Sequence, residues 1–188
     1  MPDLLGFISI VLVSFLTFIM ALRWRKVSTI LLVALVVRIL FLYINNYFFY
    51  LPDGNMDALV FESLACEWSR DGFFNTFNFY FGPSAHFLSF LIAIPYSLLG
   101  RSLLMAQSFS IIFGIASVFL SWIIAKKIWN DKIAIKVAWT VCLFPSLISY
   151  SVLVMREAYI TFFLLLAFYG LISWFKEKKF KFLILTTF

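Results

Sequence analysis

The sequence SLLMAQSFSIIFGIASVFLSWIIA, residues 102–125, is an apolar segment that contains no charged side chain. A helix needs ~20 residues to cross the hydrocarbon core of a bilayer, and this segment is long enough to do so. Lys126 and Lys127 follow it directly. The segment therefore predicts a transmembrane helix that ends in a basic, water-facing loop.

The overall composition extends this prediction to the whole chain. Of the 188 residues, 64% are hydrophobic and 13% are charged, and the mean hydropathy is +1.02. Soluble domains are about half apolar and roughly one quarter charged, so this composition cannot form a water-exposed surface. The chain is predicted to be a single all-α membrane domain, residues 1–188, with several transmembrane spans.

Lysine and arginine cluster in three short groups, each at the end of an apolar run. The groups are Arg23, Arg25 and Lys26; Lys126, Lys127, Lys132 and Lys136; and Lys176, Lys178, Lys179 and Lys181. Cytoplasmic loops of membrane proteins carry this excess of positive charge. The net charge of +6 is therefore assigned to membrane topology, and no nucleic-acid partner is expected.

Placing the three basic groups on one side of the membrane gives about five spans. The predicted spans are residues 4–22, 27–50, 102–125, 137–154 and 158–175. Residues 51–84 then form an acidic outer loop. Only one crossing fits between this loop and Lys126, so the short segment 87–99, which contains Pro95, is predicted to be a juxtamembrane or re-entrant helix. The expected location is the cell (inner) membrane, multi-pass, with the outer loop on the non-cytoplasmic side.

The outer loop holds most of the carboxylates. Five of the nine acidic residues lie within residues 51–72, and they are Asp53, Asp57, Glu62, Glu67 and Asp71. Packing gives no reason to concentrate acids in one loop of a small membrane protein. This loop is therefore the expected location of any chemistry.

A helix over residues 55–70 is predicted to be amphipathic, at about 100° per residue. Its apolar face contains Val60, Phe61, Leu64, Ala65 and Trp68, and its polar face contains mostly Glu62, Ser63, Glu67 and Arg70. Such a helix is expected to lie on the membrane surface. Asp57 falls on the apolar side, where partial desolvation would make it a better base. The alternative is that Asp57 only occupies the first turn, where the helix dipole favours an acid.

The arginines are distributed differently from the lysines. All lysines fall in predicted inner loops, whereas Arg101 and Arg156 flank spans on the side of the acidic loop. Their planar guanidinium groups suit phosphate or carboxylate binding. Arg38 lies inside a predicted span and is expected to extend its charged end toward the membrane surface. The alternative is that Arg38 pairs with a partner protein across a helix interface.

The order of several short motifs resembles that of GT-C glycosyltransferases, in particular the family 39-like members. Asp57, Phe61 and Ala65 are similar to the D-x-x-x-Y-x-x-x-A signature in the first outer loop of that family, with Phe61 in place of the tyrosine. Further similar elements are Gly82-Pro83-Ser84, Leu99-Gly100 before Arg101, and the segment from Phe144-Pro145-Ser146 to Arg156-Glu157. The resemblance covers roughly residues 27–175. Family members have more spans, so the chain is expected to be the front part of a longer protein.

The resemblance implies transfer of a hexose or pentose from a polyprenyl-phosphate carrier to a glycan, lipid or protein acceptor. Asp57 would be the general base, with Asp53 as the alternative, and Glu157 would orient the acceptor or an arginine. The implied substrate-binding residues are Asp53, Phe61, Arg101 and Arg156. Of these, Arg101 or Arg156 would bind the lipid phosphate.

No cofactor or metal is expected, because two distant cysteines and the lone His86 do not form a zinc site. His86 is expected to have a structural role at the interface. Asp53, Asp57 and Glu62 are an alternative oxygen ligand set for a hard divalent cation. Two other functions stay open: a small non-enzymatic membrane subunit that assembles with a membrane partner, and a fragment of a lipid-carrier transporter or polymerase. Membrane lipid is a partner in each case.

Overall fold

The computed structural model of this chain describes residues 2–54, 56–79 and 86–178, with the backbone alone for residues 2 and 3. The described residues form α-helices joined by short connections, without β-strands. The helices are α1 (Pro2–Arg23), α2 (Ser28–Tyr47), α3 (Asp57–Ser69), α4 (Phe73–Thr76), α5 (Phe87–Leu99), α6 (Leu103–Ile128), α7 (Asp131–Leu143), α8 (Pro145–Val152) and α9 (Arg156–Glu177), and a 3₁₀ turn covers Phe77–Phe79. The all-α prediction is confirmed. Predicted features outside the described residues are Asn55, Gly82-Pro83-Ser84, Lys179 and Lys181.

Helix α6 is the central element of the bundle. It packs against α1, α2, α7, α8 and α9. Its buried positions include small residues such as Ser110, Gly114 and Ser117, which allow helices in a membrane to approach each other closely. The Ser117 hydroxyl donates a hydrogen bond to the carbonyl of Phe113, at 2.8 Å, and so satisfies itself within its own helix.

The segment predicted to span the membrane over residues 137–154 is broken in the structure. Helix α7 ends at Leu143 and α8 begins at Pro145, with an angle of 57° between them. Phe144 has an extended backbone. Pro145 occupies the first turn of α8, where a missing N–H costs nothing. The two short helices together are long and apolar enough to form one broken span.

The basic groups lie at one end of the bundle, where ion pairs connect the helix ends. Lys26, which follows α1, pairs with Asp131 at the start of α7. The Nζ of Lys127, near the end of α6, lies 3.0 Å from Oε1 of Glu177 at the end of α9. The ends of α1, α6 and α9 therefore meet the start of α7. This is the arrangement that the positive-inside interpretation requires.

The opposite end of the bundle carries α3, α4 and α5. Helix α5 has the same bounds as the segment 87–99 predicted to be a juxtamembrane helix. It packs against α3, and the Ser89 hydroxyl of α5 donates a hydrogen bond to the carbonyl of Phe61, at 2.9 Å. A second hydrophobic core, separate from that of the main bundle, fills the space between these helices and the start of α9; it includes Phe61, Ala65, Trp68, Leu88, Ile92, Tyr96 and Ala158.

Arg38 is buried inside the bundle rather than extended toward the membrane surface. Its side chain is enclosed by α2, α6 and α8 of this chain, and the residue is 1% exposed. Its Nε donates to the Ser151 hydroxyl at 2.9 Å, and its Nη1 donates to the carbonyl of Ala34 at 3.2 Å. The expectation that it extends to the surface is wrong, and so is the alternative of pairing across a protein interface. Gly114 of α6 provides the space for the Arg38 side chain, since a Cβ at position 114 would lie 2.8 Å from Arg38 Nε.

The outward surface of the bundle is strongly apolar. Helices α1, α2, α6 and α9 are each long and apolar enough to cross a membrane, and the broken pair α7–α8 is a fifth candidate. On α1, side chains such as Phe7, Val11 and Phe15 are more than half exposed. A water-soluble monomer rarely exposes an apolar surface of this extent. The fold is that of a polytopic, all-α membrane protein.

Candidate functional site

The first turn of α3 holds Asp57 in an exposed position. The residue is exposed to solvent, and so is Val60 one turn later, with 57% of its surface accessible. The buried side of α3 is formed by Ala58, Phe61 and Ala65. The prediction that Asp57 is partly desolvated is therefore wrong, because the apolar side of α3 packs inward and the first residue of the helix lies beyond that contact. Its position in the first turn is the one that the helix dipole favours for an acid.

The buried acid of α3 is Glu62, whose side chain is 2% exposed. Arg101, which precedes α6, donates from Nε to Glu62 Oε1 at 2.9 Å and from Nη2 to Oε2 at 2.7 Å. The Tyr96 hydroxyl of α5 lies 3.0 Å from Oε1 and 2.9 Å from the carbonyl of Ser102. A guanidinium that contacts both carboxylate oxygens makes strong, directional charge-assisted hydrogen bonds. We refer to Glu62, Tyr96 and Arg101 as the Glu62 clamp.

The charge states within the Glu62 clamp follow from its geometry. The pKa of the Tyr96 hydroxyl is raised, first because burial disfavours the phenolate and second because the Glu62 carboxylate is close. The pKa of Arg101 is raised because it donates hydrogen bonds to Glu62 and is attracted by its charge. Tyr96 therefore stays a neutral donor, and Arg101 stays a cation. The clamp joins α3, α5 and the start of α6 through these contacts.

Sequence reasoning missed Glu62 for a physical reason. The residue follows Phe61 directly, so a helical projection places it about 100° away, toward the polar face. Its partner Arg101 is separated from it by 39 positions. Only the packing of α3 on α5 brings them together. The available signal was Arg101, just before the long apolar run of α6, because its planar guanidinium group suits pairing with a carboxylate.

Side-chain amides fix the loop that precedes α3. Asn45, near the end of α2, accepts a hydrogen bond from the Leu51 backbone N–H at 3.0 Å. The neighbouring Asn46 donates to Gln107 of α6 at 3.0 Å. Gly54 lies so close to the Asn45 side chain that an added Cβ would be 2.9 Å from Asn45 Oδ1. Residues 51–54 are therefore docked on the end of α2, which Asn46 links to α6.

Asp53 lies in this docked turn and is exposed. Its backbone is left-handed, with φ of 65°, a conformation that aspartate tolerates better than most residues. Its carbonyl accepts a hydrogen bond from the backbone N–H of Met56, at 3.3 Å. The turn thus leads directly into α3, and Asp53 and Asp57 are both exposed near its start. Both residues stay candidates for the general base.

Arg156 and Glu157 form the first turn of α9, close to the same loop. Leu153, just before them, belongs to the same hydrophobic cluster as Leu51 and Ala58. The Arg156 side chain is about half exposed, and its Nε lies 3.5 Å from Glu157 Oε1. The other oxygen of Glu157, Oε2, is buried and has no hydrogen-bond partner among the residues that the structure describes. The start of α9 therefore brings one accessible cation and one incompletely paired carboxylate to this end of the bundle.

Phe61 is a packing residue in this conformation. It is 7% exposed, and its ring lies 6.2 Å from the ring of His86, centroid to centroid. His86 is also 6.5 Å from the Trp68 ring. The contact of Phe61 with substrate stays a prediction.

The alternative cation site is not assembled in the described ranges. No group of three histidine, cysteine, aspartate or glutamate side chains there is placed to hold a metal ion. Both oxygens of Glu62 face Arg101, so Glu62 does not join Asp53 and Asp57 as a ligand.

These observations define a class of protein: a helical bundle of four or five membrane spans, with an acidic helix fixed on one end by a buried ion pair. No family model, curated protein or solved structure matches this chain.

Proposed function

We propose that this chain belongs to a membrane glycosyltransferase that uses a polyprenyl-phosphate-linked sugar. The acceptor is a glycan, lipid or protein hydroxyl at the non-cytoplasmic face of the cell membrane. The motif order around Asp57 and Arg156-Glu157 is the basis for this class of reaction. The observation that supports it best is the Glu62 clamp, which fixes α3 on the bundle and leaves Asp57 exposed at the end opposite the basic groups.

The two acids of α3, Glu62 and Asp57, have different roles because their surroundings differ. Glu62 accepts hydrogen bonds on both oxygens and is enclosed, so it positions the helix and cannot reach a substrate. Asp57 is exposed and makes no ion pair among the described residues. A general base must reach its proton directly, within hydrogen-bond distance. Asp57 meets this condition and Glu62 does not.

The proposed step is a single displacement at the anomeric carbon of the donor sugar. The acceptor hydroxyl oxygen forms a bond to that carbon as the bond to the lipid-phosphate oxygen breaks. Asp57 takes the hydroxyl proton, and the lipid phosphate leaves with the bonding electron pair. Arg156 offsets the charge that develops on the phosphate. Arg101 directs two of its donors at Glu62, so it acts mainly as a positioning residue.

The test is sugar transfer by membranes that contain the full-length natural protein, supplied with radiolabelled polyprenyl-phosphate hexoses and pentoses. Replacing Asp57 with Asn is expected to lower transfer by about 100-fold or more, the usual contribution of a general base. The matched control is Glu67→Gln, since Glu67 is another exposed acid on the same helix. Asp53→Asn decides between the two candidate bases. Full activity of both Asp57→Asn and Asp53→Asn would refute the proposal.

A further inference from the structure

Arg38 lines a narrow cleft in the interior of the helix bundle, away from the acidic helix. The other walls come from α6, the broken pair α7–α8 and α9, and they include Gly114, Ser117, Val141, Ser151 and Thr161. The cleft has room for about one water-sized particle. We call it the Arg38 cleft.

The charge of Arg38 has no counter-charge near it. No carboxylate of the described residues lies within 4.0 Å of its guanidinium. Its two hydrogen-bond partners, the Ser151 hydroxyl and the Ala34 carbonyl, are neutral. Arginine stays protonated in proteins, and a buried charge is strongly unfavourable unless it is paired. The interior of a membrane protein makes this requirement stronger.

The unused donors around the cleft belong mainly to Arg38, because the Ser117 and Ser151 hydroxyls give their protons to the carbonyls of Phe113 and Ile148 and keep only acceptor lone pairs. A guanidinium has five N–H groups, of which Arg38 uses one on Nε and one on Nη1. The Ser151 hydroxyl accepts from Arg38 and donates to the carbonyl of Ile148 at 2.9 Å. Thr161 makes no side-chain hydrogen bond to another described residue, so its hydroxyl is available as a further donor. A ligand that fits must therefore be small, must accept hydrogen bonds and must carry negative charge.

We infer that the Arg38 cleft binds a small monovalent inorganic anion of the halide type, held by the Arg38 guanidinium and the Thr161 hydroxyl. The anion supplies the missing counter-charge at the point where α2, α6, α8 and α9 meet. A water molecule would fill the same space but would leave the charge unbalanced. This site is distinct from the residues of the proposed transfer reaction, and neither proposal depends on the other.

The test is equilibrium binding of radiolabelled chloride to the purified full-length protein in detergent, with gluconate keeping the ionic strength constant. Wild-type protein is expected to bind about one chloride per chain in a saturable manner, and unlabelled bromide is expected to displace it. Arg38→Gln is expected to abolish this binding. Arg70→Gln, which removes an exposed arginine outside the bundle, is the control and is expected to bind as the wild type does.

A second variant keeps the test decisive if Arg38→Gln does not fold. Thr161→Val keeps the size and shape of the side chain and removes one donor, so the affinity for chloride is expected to fall about tenfold, the value of one hydrogen bond to a charged group. Absence of saturable chloride binding in the wild type would overturn the inference. Unchanged affinity in Thr161→Val would overturn the ligand assignment, as would chloride binding to a folded Arg38→Gln protein.

Discussion

Glu62 and Arg38 are both charged and both 1% exposed, yet their hydrogen-bond partners differ in charge. Glu62 lies at one end of the bundle, where Arg101 comes from a connection close to water and pairs with it. Arg38 lies in the middle of a helix, where the neighbours offer only a hydroxyl and a carbonyl. Burial of a charge therefore does not by itself reveal its role. The paired charge fixes one helix to another, whereas the unpaired charge is the one with donors left for a ligand.

The largest expected effect comes from breaking the pair at Glu62. Replacing Arg101 with Met leaves a buried carboxylate without its partner, and we expect a loss of about 3 kcal/mol in the free energy of unfolding, at the lower end for buried pairs because Arg101 is itself partly exposed. The double variant Glu62→Met/Arg101→Met is expected to recover most of this loss, since no uncompensated charge stays behind. Reversible unfolding in mixed micelles measures both values. Equal stabilities of the wild type and Arg101→Met would show that the clamp does not hold α3, provided that the exposed control Arg70→Met is neutral.

A smaller effect is expected at Gly114, beside Arg38. An added Cβ would lie 2.4 Å from the Ser151 Cβ and 2.8 Å from the Arg38 Nε. Gly114→Ala is therefore expected to force α6 and α8 apart and to lower the free energy of unfolding by about 2 kcal/mol, as overpacked cores do. The same unfolding assay checks this value. In a Ser151→Gly background, which lacks the closest atom, Gly114→Ala is expected to cost less than in the wild type, and an equal cost in both backgrounds would contradict the assigned contact.

The smallest effect concerns how the free energy of unfolding falls as the pH rises above about 10. Tyr96 has a raised pKa in the folded protein, so its contribution is fully present below the pKa of an unfolded tyrosine, about 10, and is lost as the pH rises above that value. Tyr96→Phe cannot ionise, so the decline in stability between about pH 10 and pH 11 is expected to be shallower than in the wild type. Thermal unfolding across this range measures the difference. Tyr169→Phe is the comparison for an unrelated tyrosine, and identical slopes for Tyr96→Phe and the wild type would rule out this coupling.

The sequence was sufficient for the features that depend on local composition. Apolar runs of membrane-spanning length predict α1, α2, α6 and α9, and the grouping of basic residues predicts which helix ends meet. The short run that contains Pro95 predicts α5. These predictions work because hydropathy and charge act over neighbouring residues.

The features that sequence reasoning missed depend on contacts between distant segments. The exposure of Asp57 depends on how α3 rotates against α5, and a helical projection of one segment cannot give that rotation. The burial of Arg38 depends on the space left by Gly114, four helices further along the chain. Pro145 is a local signal for the break at Phe144, since a proline in an apolar run ends or kinks a helix at the preceding residue.

Stability and sugar transfer can be measured on the same preparations of Asp57→Asn and Arg101→Met. The exposed Asp57 is proposed to perform the chemistry, and the buried pair of Glu62 and Arg101 to position its helix. We therefore expect Asp57→Asn to keep the wild-type midpoint of unfolding while its transfer falls about 100-fold or more, and Arg101→Met to lose stability and transfer together. Normal transfer by Asp57→Asn, or normal stability of Arg101→Met, would contradict this division of roles.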